Sequence, residues 1–172
     1  YAWHDRKAWW QQEQGILAYL ILQGHIPANG SYKKFADESA AFYNAFFLDH
    51  NDGGVYFNVL ANGIPFLVGT ERFKGSHSMS AYHSTELCFL STVYIDLMIK
   101  KRPLDLFFKP LPNGFPGRVL RVAPDMLPPG SVRISACWID GQPYHQFDAA
   151  QLSVQLPESA NRLSVKVTLT PN

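Results

Sequence analysis

Two short stretches hold most of the residue types that could do chemistry. In "RKAWWQQEQG", Trp10 and Glu13 stand three positions apart, so on a helix an indole and a carboxylate share one face. That pairing suits a sugar, whose apolar face stacks on a ring while its hydroxyls donate to the carboxylate. In "KGSHSMSAYHSTELCFL", His83 and Glu86 fall at i and i+3 near the head of an apolar run, with Ser78 or Ser80 placed to cap a helix. A helix N-terminus disfavours imidazolium, which leaves a histidine there neutral and able to act as a base. Plainer readings stand beside these: tryptophans packed in the core, Glu13 exposed on its helix, and His83 bonded only to Glu86 or backbone.

The remaining polar residues point less sharply. A zinc site would need His77, His83 and Glu86, whose spacing matches no HExxH pattern, so no metal is expected. His4, His25, His50 and His145 lie in polar or turn-like contexts. Asp49 and Asp52 of "FLDHNDGG" read as turn and cap residues. Asp125, Asp140, Asp148 and Glu158 lie near turns of the C-terminal part. Glu13 and Glu86 are the one carboxylate pair worth testing for glycoside hydrolysis.

Three helical segments must carry these residues. Asp5 is placed to cap a helix over 6–23, where Trp10, Glu13, Gln14 and Leu17 share a face, ended by Gly24 and Pro27. A second runs over about 35–48 and a third over about 80–100, stopped by Pro103. Between them, "GVYFNVLANGIPFLVG" reads as a hairpin at about 55–68 turning on Asn62-Gly63. After the Pro/Gly-rich "KPLPNGFPG" the pattern turns to period two in "SVRISACWIDG", "AQLSVQLP" and "NRLSVKVTLTP", as expected of half-buried antiparallel strands. This divides the chain into a helical part, 1–108, and a small β-sandwich-like part, 115–172.

Composition bounds the partners. The 172 residues are 47% hydrophobic, 14% aromatic and 17% charged, an apolar globular composition. The net charge is +1 and the densest basic cluster is Lys100, Lys101 and Arg102, too little for a nucleic-acid footprint. No apolar run is long enough to span a membrane. Cys88 and Cys137 form no CxxC motif, and a cytoplasmic protein is the expectation. The chain opens on "YAWHDRKAWW" without an initiator methionine, so a cut edge is expected there.

Taken in order, "DRKAWWQQEQ", "FFLDHNDGGVYFNVLANGIP" and a lysine followed by "AYH" at the head of a final helix resemble the C-terminal portion of the N-acylglucosamine 2-epimerase family. Its relatives include cellobiose 2-epimerases and aldose–ketose isomerases. The likeness spans about Asp5 to Lys100, and its most specific parts are Lys-x-Trp-Trp-x-x-Glu and the order hairpin, lysine, Tyr-His. It implies a mainly α fold, part of an (α/α)6 barrel of six helical hairpins, followed here by the antiparallel β appendage.

The resemblance further implies opening of a sugar ring and removal of the proton beside the carbonyl, without a cofactor. His83 would be the acid/base, and Glu13 would orient it across a shared pocket or bind hydroxyls. Trp10 and Trp9, with Tyr82 and Glu86, would surround the sugar. Family members usually carry an arginine where this chain has Glu86, and a carboxylate beside an imidazole favours its charged form. The partner histidine and an arginine of the N-terminal helices have no counterpart here. The rest of the barrel, a partner chain or a second copy in a homodimer is therefore expected to cover the apolar helix faces, and the fragment alone is expected to be inactive. The alternative is an idle carbohydrate-binding or scaffold module on the same fold.

Overall fold

A computed structural model describes residues 5–74, 76, 78–124 and 126–172. His4, His77 and Asp125 therefore lie outside the described residues. The chain divides into two compact units, Tyr1–Thr92 and Val93–Asn172.

The first unit is built on helices. Helix α1 spans Trp9–His25, and its residues Trp9, Glu13, Ile16, Leu17 and Leu20 recur at helical spacing and are all buried. It starts three residues later than expected. Arg6–Ala8 form a strand, β1, paired antiparallel with β2, Asn58–Leu60. The Trp9 N–H extends that ladder to the Phe57 carbonyl, and the two rings pack 4.7 Å apart. Ala8 stands at the helix N-cap, and the expected Asp5 cap is replaced by this pairing.

Helix α2, Ser31–Phe42, continues through a π-helical turn, Tyr43–Phe47, which directs Tyr43 and Phe47 inward. The predicted hairpin turns where expected, but through three residues, 61–63, with only Gly63 at positive φ, and it keeps only one full strand. Leu60 N–H reaches the Ile64 carbonyl and Gly63 N–H the Leu60 carbonyl, while the second arm touches β2 in a single bridge at Pro65. A proline has no N–H with which to extend a ladder. Gly63 sits at φ +85°, and a Cβ there would come within 2.3 Å of the Phe46 ring. Helix α3, Ala81–Val93, passes into a second π-helical segment, Tyr94–Ile99.

The second unit is antiparallel β. Strands β3 (Leu104–Phe108), β4 (Val119–Arg121), β5 (Val132–Ile139), β6 (Gln142–Pro143), β7 (Phe147–Asp148), β8 (Ser153–Gln155) and β9 (Val165–Pro171) form a four-stranded sheet, β3-β9-β5-β6, and a three-stranded one, β4-β8-β7. Strand β3 lies in the stretch that the sequence pattern left with the helices; it pairs along its full length with β9. In β9, Val165, Val167 and Leu169 alternate inward and are fully buried. In β5 the alternation changes phase. A bulge between Ile134 and Ala136 leaves Ser135 unpaired, so burial passes from Val132 and Ile134 to Cys137 and Ile139. The Tyr94 hydroxyl donates to the Met126 carbonyl, and burial pushes its phenol up to about 12.

Candidate functional site

In the first unit, α1 and α3 are joined by a set of polar side chains one residue out of step with the sequence expectation. Glu13 is wholly enclosed, at 0% exposure. Its Oε1 accepts from the Tyr43 hydroxyl at 2.5 Å and from the Ser84 hydroxyl at 2.7 Å. Its Oε2 and the Trp9 indole Nε1 are buried with no partner among the described residues. A carboxylate out of water is held by such donors. Burial first, and then the Glu13 carboxylate, raise the Tyr43 phenol above its ordinary range. Glu13 thus reaches α3 through Ser84, the neighbour of His83.

His83 sits in an aromatic cage. The Trp10 ring stacks on it at 5.9 Å, Trp9 meets it edge-on at 6.0 Å and Tyr82 edge-on at 4.9 Å. Gln14, next to Glu13 on α1, places its amide nitrogen 2.7 Å from Glu86 Oε2 and 3.3 Å from His83 Nδ1. His83 Nδ1 and the same Glu86 oxygen are 3.7 Å apart. The Tyr82 hydroxyl lies 3.5 Å from the other Glu86 oxygen. Ala81, Tyr82, Thr85, Glu86, Phe89 and Leu90 line an open concavity of about 560 Å³ on one side of α3. A separate cleft in the second unit, between Pro110–Phe115 and Leu156–Leu163, holds only about 20 Å³, room for one water.

Chemically, the arrangement offers an imidazole walled by indoles, with one ring nitrogen held by an amide and a carboxylate beside it. Trp10, 40% exposed, and Tyr82, 64% exposed, are free to meet a ligand; Trp9, 2% exposed, is a wall of the core. The structure thus brings His83, Trp9, Trp10, Tyr82 and Glu86 together and sets Glu13 behind them. Sequence reasoning missed Gln14, Tyr43 and Ser84. Gln14 and Ser84 follow Glu13 and His83 directly, which is the signal that could have found them. Tyr43 had none, because the π-helical turn that aims it inward leaves no mark in the periodicity.

A second polar cluster closes the "DHNDGG" loop. Asp49 accepts from Lys74 Nζ at 2.8 Å, from the Asn51 and Asp52 N–H groups at 3.0 Å each and from the Tyr56 hydroxyl at 3.3 Å. The Lys74 ammonium and then the two backbone donors hold its carboxyl well below the usual carboxylate range. The turn role expected of Asp49 accounts for the two backbone donors, while the Lys74 ion pair and the Tyr56 hydroxyl are tertiary contacts added to it. Among the described residues no three His, Cys, Asp or Glu side chains are grouped to hold a metal ion, and no helix is long and apolar enough to cross a membrane.

No family model matches this chain, and no curated protein does. Among solved structures it is similar to a sugar epimerase from a ruminal bacterium, at 16% identity and a TM-score of 0.45 over 51% of this chain and 22% of that one. It is also similar to cellobiose 2-epimerase from Bacillus thermoamylovorans B4167, at 19% identity and a TM-score of 0.43, with the same coverage of both chains. The chain spans 22% of the length of each. Likeness at this level fixes neither family nor activity, and the chemistry rests on the site's own geometry.

Proposed function

We propose that this chain is the C-terminal part of a sugar 2-epimerase or isomerase that moves the proton beside the carbonyl of an open-chain sugar. The observation that carries the reading is the setting of His83, an imidazole stacked on one indole and met edge-on by a second, with its Nδ1 held by Gln14. Enolisation needs an imidazole or carboxylate pair that handles protons near neutral pH, and stacked rings suit the apolar face of a sugar. His83 supplies one member of that pair; Trp10 and Tyr82 wall the sugar, Glu86 stands at its edge and Glu13 supports the frame. The other member and the rest of an (α/α)6 barrel belong to a longer chain or a partner covering the concavity of α3. Two free thiols, Cys88 exposed and Cys137 buried, suit a reducing cytoplasm. The test is exchange of the sugar C2 proton in heavy water by the full chain, lost in His83→Ala.

A second reading, an idle carbohydrate-binding module, draws on one observation. Glu86 is bonded to Gln14 at the position where the resembled family usually carries an arginine. Sugar binding without C2 exchange would select it. A two-carboxylate hydrolase loses support, because Glu13 is enclosed behind Tyr43 and Ser84.

A further inference from the structure

A carboxylate three residues from an imidazole would ordinarily draw the ring proton to the nitrogen facing it. Here Glu86 Oε2 lies 3.7 Å from His83 Nδ1, beyond hydrogen-bond reach. That oxygen accepts instead from Gln14 Nε2 at 2.7 Å, and the same nitrogen lies 3.3 Å from His83 Nδ1. An amide nitrogen carries two hydrogens and no free acceptor site, so it can serve a carboxylate oxygen and an imidazole lone pair at once. With the amide turned over, its carbonyl would meet the Glu86 carboxylate, acceptor against acceptor. Glu86 therefore sets the orientation of Gln14, and Gln14 sets which ring nitrogen keeps its lone pair.

We propose that Gln14 is a positioning residue that holds neutral His83 as its Nε2–H tautomer, with Nδ1 capped, so that the ring offers a ligand a hydrogen-bond donor rather than an open lone pair. Among the described residues, the rest of the cage does not compete for a proton on Nδ1. From α1 come the Trp9 and Trp10 rings, and from α3 the Tyr82 ring, whose hydroxyl is turned to Glu86. Among the described residues, the charged groups of this site are Glu86, engaged by Gln14, and Glu13, engaged by Tyr43 and Ser84. The functional consequence rests on the reading of His83 as the group that meets a sugar. On that reading His83 is the acid-side member of the pair: its Nε2–H bonds the sugar oxygen on which negative charge gathers as the C2 proton leaves, and the base at C2 comes from elsewhere in the full chain.

The tautomer is visible without any substrate. In the full chain labelled with ¹⁵N-histidine, at a pH where the ring is neutral, the His83 spectrum should show a protonated Nε2 and a lone pair on Nδ1. Gln14→Leu leaves Glu86 facing Nδ1 alone, so the pattern should shift toward Nδ1–H. Glu86→Gln removes what orients the Gln14 amide and should weaken the Nε2–H preference; it carries the test if Gln14→Leu does not fold. A wild-type spectrum with Nδ1–H, or a pattern unmoved in the folded variants, overturns the proposal. Should the tautomer behave as stated while C2 exchange is absent, the role of Gln14 stands and the sugar reading falls.

Discussion

Tyr43→Phe removes one hydroxyl from the most enclosed carboxylate of the first unit and leaves the ring's stacking on Phe47, 5.5 Å away, in place. A hydrogen bond to a charged group contributes about 1.5 to 3 kcal/mol. The upper half of that range applies here, because Glu13 is fully buried and its second oxygen has no partner among the described residues. A loss of about 2 to 3 kcal/mol corresponds to a change of roughly 30- to 150-fold in the unfolding constant. Urea unfolding of the full chain, followed by tryptophan fluorescence, should show an earlier midpoint with an unchanged slope. The effect also has a signed pH dependence. The folded phenol is raised above the ordinary 10.0, so its contribution is complete below about pH 10 and declines as pH rises, when the unfolded chain releases the proton that the folded chain keeps. The gap between wild type and variant should therefore narrow above about pH 10. A difference under about 0.5 kcal/mol, or one that does not change between about pH 9 and 11, would refute the buried-carboxylate account of this node.

Other perturbations probe other parts of the first unit. Gly63→Ala sets a Cβ on a positive-φ residue 2.3 Å from the Phe46 ring, and overpacking of that kind should cost about 2 kcal/mol, read as a lower urea midpoint. Lys74→Met takes away the largest cause of the lowered Asp49 carboxyl, which should move up toward 3.8 in an NMR titration. In the wild type that contribution is present above about pH 4 and fades as pH falls; an Asp49 unmoved by the substitution would show that the two backbone donors alone set it.

Much of this was legible in residue patterns. The third helix and its stop at Pro103, the Asn62-Gly63 turn and the period-two tail all follow local rules that the structure obeys. What escaped depends on partners distant in sequence. Arg6–Ala8 reads as helix because its spacing continues that of α1, yet β2, some fifty residues on, claims its backbone. The bulge at Ser135 reverses the face of β5 without any glycine or proline to announce it. At the site, types and spacing singled out His83, Glu86 and Glu13, while the reason each is held where it is comes from Gln14, Ser84 and Tyr43, whose hydrogen bonds cross between elements. The expectation that Glu13 and His83 face one another across a pocket gives way to a layered arrangement, His83 caged toward the surface and Glu13 sealed behind it.

The central claim, that His83 meets an open-chain sugar beside the carbon that loses its proton, is tested most directly by C2 proton exchange in heavy water with the full chain. Deuterium should enter at C2 with the wild type, and His83→Ala, with its fold shown intact by an unchanged urea midpoint, should lower the rate by about 100-fold or more. Exchange that continues at the wild-type rate in that variant would contradict it.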